Sequence, residues 1–189
     1  MFSSLESVLF LGMSLSTYTA MHVTISLVAI ASGVLVLLRP SASPKAWGLT
    51  ALFFATTFAA SVTGLLYLLA FPRFGMGHGI GIASLAVFVP TLLALCRHRL
   101  AGPWRRVYVA GVTTLLYLNA FIAVMQSFGK IGFLRTLPAT TLGSPLLLAH
   151  LLLVAVCLWL GMHALASLQP GCARQRRRVR PLRVADRWS

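Results

Sequence analysis

By residue type, the positions best suited to chemistry in this chain are three histidines and two side-chain amides: His22, His78, His150, Asn119 and Gln126. Imidazole binds transition metals, and imidazoles from facing helices serve as axial ligands of haem. Asn119 and Gln126 are seven residues apart, within about 20° of one helical face, a spacing suited to supporting a bound group by hydrogen bonds. All five lie in stretches free of charged residues. Polar groups in such surroundings are costly, which makes each a functional candidate. The cofactor they suggest is haem b, with His22, His78 and His150 as candidate ligands and the two amides beside them. The competing explanation is plain packing, because histidine is common at membrane interfaces and amides often join helices by hydrogen bonds.

Other residues narrow the chemistry further. His163 is thirteen positions from His150, about 220° around a helix, so the two do not face one interior and a second haem is not expected. His98 stands between Arg97 and Arg99 and reads as an interfacial basic residue. Cys96, Cys157 and Cys172 form no C-x-x-C or Cys/His ligand spacing, so they read as ordinary thiols and no dedicated metal centre is expected. The glycines at 75, 77, 79 and 81 lack the Lys-Ser/Thr step of a phosphate loop, although they could make room for a flat cofactor. No carboxylate falls in an apolar run, which argues against a transporter driven by buried acids. No Ser/His/Asp or Cys/His arrangement supports hydrolysis.

The elements that must position these side chains are set by an unusual distribution of charge. Of 189 residues, 58% are hydrophobic and 10% are charged, against about a quarter charged in ordinary globular proteins. The charged residues leave five uncharged runs, 7–38, 46–72, 74–96, 107–129 and 136–173. Each can hold the roughly 20 apolar residues that a helix needs to cross about 30 Å of hydrocarbon. The expected fold is therefore all-α, a polytopic transmembrane bundle of five membrane-spanning helices over 19–168. The crossings are placed at about 19–38, 47–71, 78–96, 107–128 and 145–168. The first run is too long for one crossing, and Ser14, Ser16, Thr17, Tyr18 and Thr19 suggest a break, so 1–18 is expected to be an interfacial segment. Residues 129–144 read as a loop and 169–189 as a basic tail. Small-residue stripes at Ala29 and Gly33, at Thr56, Ala60 and Gly64, and at Gly77, Gly81 and Ser84 predict close helix approach.

Orientation follows from counting basic residues by side. With the N-terminus outside and the C-terminus cytoplasmic, thirteen Lys and Arg fall inside and three outside, as the positive-inside rule requires. The seven tail arginines then face the cytoplasmic leaflet and suit anionic lipid. Nucleic acid is not an expected partner, because no aromatic interleaving or folded module accompanies the charge. The expected partners are the bilayer, anionic lipids and a partner membrane subunit. Two functional classes follow: a haem- or metal-binding redox or assembly component, and a non-catalytic subunit or scaffold. A small transporter is a more distant third.

Several segments carry a family resemblance: Ser61-Val62-Thr63-Gly64, His78-Gly79-Ile80-Gly81, Trp104-Arg105-Arg106-Val107-Tyr108, and Leu116-Tyr117-Leu118-Asn119 leading to Gln126 and Lys130. Over roughly 20–165 the chain resembles a group of bacterial multi-pass inner-membrane proteins of the domain-of-unknown-function type. Leu137-Pro138-Ala139-Thr140 departs from the Pro-Thr-Gln step of that group. The resemblance implies a small inner-membrane helical bundle and supplies no reaction.

Overall fold

The computed structural model describes residues 9–10, 12–39, 44–70, 75–130, 132 and 145–168. Five α-helices form the fold: α1 (Leu15–Leu38), α2 (Pro44–Ala70), α3 (Met76–Cys96), α4 (Trp104–Lys130) and α5 (Pro145–Ser167). All five are long and apolar enough to cross a membrane. Even α3, with 21 residues, extends about 32 Å at 1.5 Å per residue. A two-stranded antiparallel hairpin, β1 (Leu9–Phe10) and β2 (Met13–Ser14), precedes α1 and is an addition to the expected all-helical fold. Gly12 turns it with φ +82°, a left-handed conformation that glycine adopts without a Cβ penalty.

Helix α1 begins at Leu15, four residues before the expected start. Ser14 caps it, its hydroxyl oxygen accepting from the Thr17 N–H at 3.2 Å. The hydroxyls of Thr19 and Thr24 donate to the carbonyls of Leu15 and Ala20 at 2.8 and 2.9 Å. Of the polar residues read as a break, Ser14 caps the helix, Thr19 bonds back to it and Tyr18 bonds to Thr63 of α2, so the helix continues through them. Helix α4 also starts early, at Trp104, and takes Arg105 and Arg106 into its first turn. The expected loop after α4 and the basic tail fall mostly or wholly outside the described residues.

Successive helices run antiparallel, and α4 lies at the centre. Its Val109, Val112, Leu115 and Leu116 are buried in one core with Leu37 of α1, Phe53 of α2, Ala94 of α3 and Leu160 of α5. The outward faces are apolar as well: Leu152 is 66% exposed and Met162 63%. Apolar surface this continuous belongs in contact with lipid rather than water.

Lipid gives helices no hydrophobic reason to associate, so close fit must hold them. Each consecutive pair has a glycine notch filled by its neighbour. A Cβ added at Gly33 would lie 2.7 Å from the Phe53 ring, one at Gly81 3.2 Å from Leu65, and one at Gly161 2.9 Å from Thr113 Oγ1. At Gly111 an added Cβ would collide outright with Thr91. The expected stripes are partly realised. Ala29, Gly33, Ala60, Gly81 and Ser84 are buried, whereas Gly77 is exposed with nothing within 4 Å of an added Cβ. The run beginning at Gly75 therefore contributes Gly81 to helix packing. Pro90 interrupts α3 without ending it, and the Thr91 hydroxyl donates to the Val87 carbonyl at 2.6 Å beside it.

Candidate functional site

The polar side chains concentrate where the start of α1 meets the end of α2. Tyr18 and His22 are four residues apart on α1, and Thr63 and Tyr67 four apart on α2, so each pair shares one helical face. Antiparallel packing brings the two faces together. The Tyr18 hydroxyl donates to the Thr63 carbonyl at 2.7 Å, and the Tyr67 hydroxyl to Thr19 Oγ1 at 2.8 Å. His22 Nδ1 lies 2.8 Å from Thr63 Oγ1. Because the Thr63 hydroxyl donates to the Ala59 carbonyl at 2.6 Å, its oxygen accepts from His22 Nδ1–H, which assigns that tautomer.

Ring packing completes the cluster. Tyr67 meets Tyr18 edge-on at 5.1 Å and His22 edge-on at 5.7 Å. Gly64 makes room for the imidazole, since an added Cβ there would lie 3.4 Å from His22 Cε1. The chemistry of this arrangement is mutual satisfaction: hydroxyl, imidazole and carbonyl groups of two helices pair with one another where lipid offers no alternative.

The other candidates sit elsewhere. His78 is buried in the first turn of α3, and its Nδ1 accepts from the Gly75 N–H at 3.0 Å, closing the start of its own helix. His150 lies against Phe121 of α4 with ring centroids 4.6 Å apart. Its Nδ1–H donates to the Leu146 carbonyl at 2.8 Å, so Nε2 carries the lone pair. That Nε2 is buried and has no hydrogen-bond partner among the described residues. Asn119 donates to the Leu115 carbonyl of its own helix at 3.0 Å, and Gln126 is exposed.

His22 thus faces α2, His78 its own helix start and His150 α4. Among the described residues no group of three or more His, Cys, Asp or Glu side chains is placed to hold a metal ion. The structure places the five candidates on four different helices. It brings His22 together with Tyr18, Thr19, Thr63 and Tyr67. In the sequence Tyr18 and Thr19 read only as signs of a helix break. The paired four-residue spacings on adjacent antiparallel helices were the signal that could have found the cluster.

The opposite end of the bundle has its own contacts. Arg105 of α4 donates to the Leu168 carbonyl at 2.8 Å, just past the end of α5. His98 stacks on Trp104 at 3.7 Å and 2°, which fits its reading as an interfacial residue. Trp159 and His163 lie 5.8 Å apart on the outward side of α5, so His163 does not share an interior with His150. Cys96 and Cys157 are free thiols, and Cys172 lies outside the described residues.

Fold and contacts define a helical bundle compatible with a multi-pass integral membrane protein. Comparison with known proteins gives no match to a family model, a curated protein or a solved structure.

Proposed function

We propose that this chain is a multi-pass protein of a bacterial cytoplasmic membrane that acts as a non-catalytic subunit or scaffold, its polar residues serving to join helices. The observation that carries this reading is the α1–α2 cluster, in which His22, Tyr18 and Tyr67 each hydrogen-bond across to the neighbouring helix. Such bonds are worth about 0.6–1.7 kcal/mol each within a bilayer, enough to fix one packing of two helices. The charge bias of thirteen to three supports an outside N-terminus and a cytoplasmic C-terminus, with the arginine-rich tail on anionic lipid. The motif resemblance to bacterial inner-membrane proteins supports the same location.

A second reading, a haem b-binding redox or assembly component, is favoured by one observation, the buried lone pair of His150 Nε2. In that reading His150 Nε2 would hold the haem iron, with the ring oriented by its Nδ1 bond to Leu146 and by the Phe121 ring. Haem would supply one-electron chemistry. Purification in detergent separates the two readings. The subunit reading expects neither a haem Soret band nor a stoichiometric transition metal. A stoichiometric haem lost on His150→Ala would replace it with the second.

A further inference from the structure

The turn between α3 and α4 holds a concentration of positive charge that no acidic side chain among the described residues neutralises. Arg97, Arg99 and Arg106 are exposed, and the described residues contain no Asp or Glu. The whole chain has only two acidic residues, so most of its sixteen basic ones must find their counter-charges outside it. Arg105, by contrast, is already engaged with the Leu168 carbonyl.

The turn is also held in a costly shape. Arg99 and Leu100 have φ +47° and +59°, a left-handed conformation unfavourable for residues bearing a Cβ. Such a conformation persists where the surroundings over-determine it. Here Leu100 packs against the core, its N–H bonds the Ala94 carbonyl at 3.1 Å, and the Ala101 N–H bonds the His98 carbonyl at 2.9 Å. Behind the arginines, His98 is stacked flat on Trp104, which is itself packed on the core. The turn begins and ends where apolar helices stop, so it lies at the depth of lipid headgroups, where tryptophan also concentrates.

We propose that this turn is a binding site for the phosphate headgroups of anionic phospholipid, with Arg97, Arg99 and Arg106 as the charged contacts and the His98–Trp104 stack as a rigid floor. The site is separate from the tail arginines, because the turn is pinned to the bundle core. It rests on the membrane-spanning fold and is independent of whether the α1–α2 cluster is structural.

The test uses full-length protein with Trp47, Trp159 and Trp188 replaced by Phe, reconstituted in vesicles of phosphatidylcholine with a minor fraction of brominated lipid. Quenching of the remaining Trp104 should favour brominated phosphatidylglycerol over brominated phosphatidylcholine by well over fivefold, since three contacts act together. Each basic residue near an anionic surface is worth about fivefold. Arg99→Asn should lower the preference about fivefold, because Asn tolerates positive φ while lacking the charge. The triple variant Arg97→Gln, Arg99→Asn, Arg106→Gln should lower it much further with helix content retained. Replacing Arg176, Arg177 and Arg178 by Gln removes equal charge from the tail and should leave the preference in place, as should millimolar inorganic phosphate. The proposal is overturned by the absence of any preference in the parent protein, by its survival in both turn variants, by equal loss in the tail variant, or by displacement with free phosphate.

Discussion

His22 Nδ1 and Thr63 Oγ1 lie 2.8 Å apart across the α1–α2 interface, and the Thr63 hydroxyl proton is already given to the carbonyl of Ala59. The imidazole therefore donates, and one threonine oxygen both closes its own helix and receives the neighbouring one. Thr63 accepts twice from α1, once through this hydroxyl and once through its carbonyl from Tyr18. Two of the three described side-chain hydrogen bonds across this joint thus converge on Thr63.

The Tyr67 hydroxyl reaches Thr19 while its ring packs on Tyr18 and His22. Tyr67→Phe removes the hydrogen bond and keeps the ring. It should cost about 0.5–1.5 kcal/mol in reversible unfolding in bicelles, and Tyr67→Ala distinctly more, because the ring contacts go too.

Gly111 and Gly77 make an internal contrast between a filled notch and open space. Gly111→Ala forces a methyl group into Thr91 and should destabilise the bundle by about 1–3 kcal/mol, part of which Thr91→Ala should restore. Gly77→Ala meets nothing and should be neutral or stabilising by up to about 1 kcal/mol through helix propensity. Thermal unfolding of the three variants in one detergent measures the difference.

Arg105 ties the start of α4 to the end of α5 through the Leu168 carbonyl. Arg105→Ala should leave global unfolding little changed while loosening that end locally. Hydrogen exchange of the Ser167 and Leu168 amides should quicken about fivefold, equivalent to ~1 kcal/mol.

The charge bias gives a prediction for sidedness. A reporter fused after Ser189 should be active only in its cytoplasmic form, and one fused ahead of Met1 only in its exported form. Activity of the C-terminal fusion on the outer side would reverse the proposed orientation.

The helices were legible because lipid imposes a length and excludes charge. Arg39, Arg73, Arg97 and Arg105 bracket the apolar runs, and four of the five helices lie close to the expected crossings. Helix α1 departed from expectation because a hydroxyl looks like a breaker in sequence, whereas Ser14 caps the helix and Thr19 bonds back to the Leu15 carbonyl. The site was less legible for a different reason. Shared depth along the membrane normal is readable from one sequence, but the direction in which a side chain faces depends on how helices are rotated. His22, His78 and His150 were expected at one end of the bundle, yet they face α2, the start of α3 and α4. Thr63 was invisible as a partner because its importance comes from a neighbour on another helix.

A double-mutant cycle on His22 and Thr63 tests the structural role of the cluster most directly. The variants are His22→Ala, Thr63→Val and the pair, each unfolded reversibly in bicelles. Hydrogen-bonded joining of α1 and α2 predicts a coupling energy of about 0.6–1.7 kcal/mol, with the pair losing less than the sum of the single changes. Strict additivity of the two changes would contradict it.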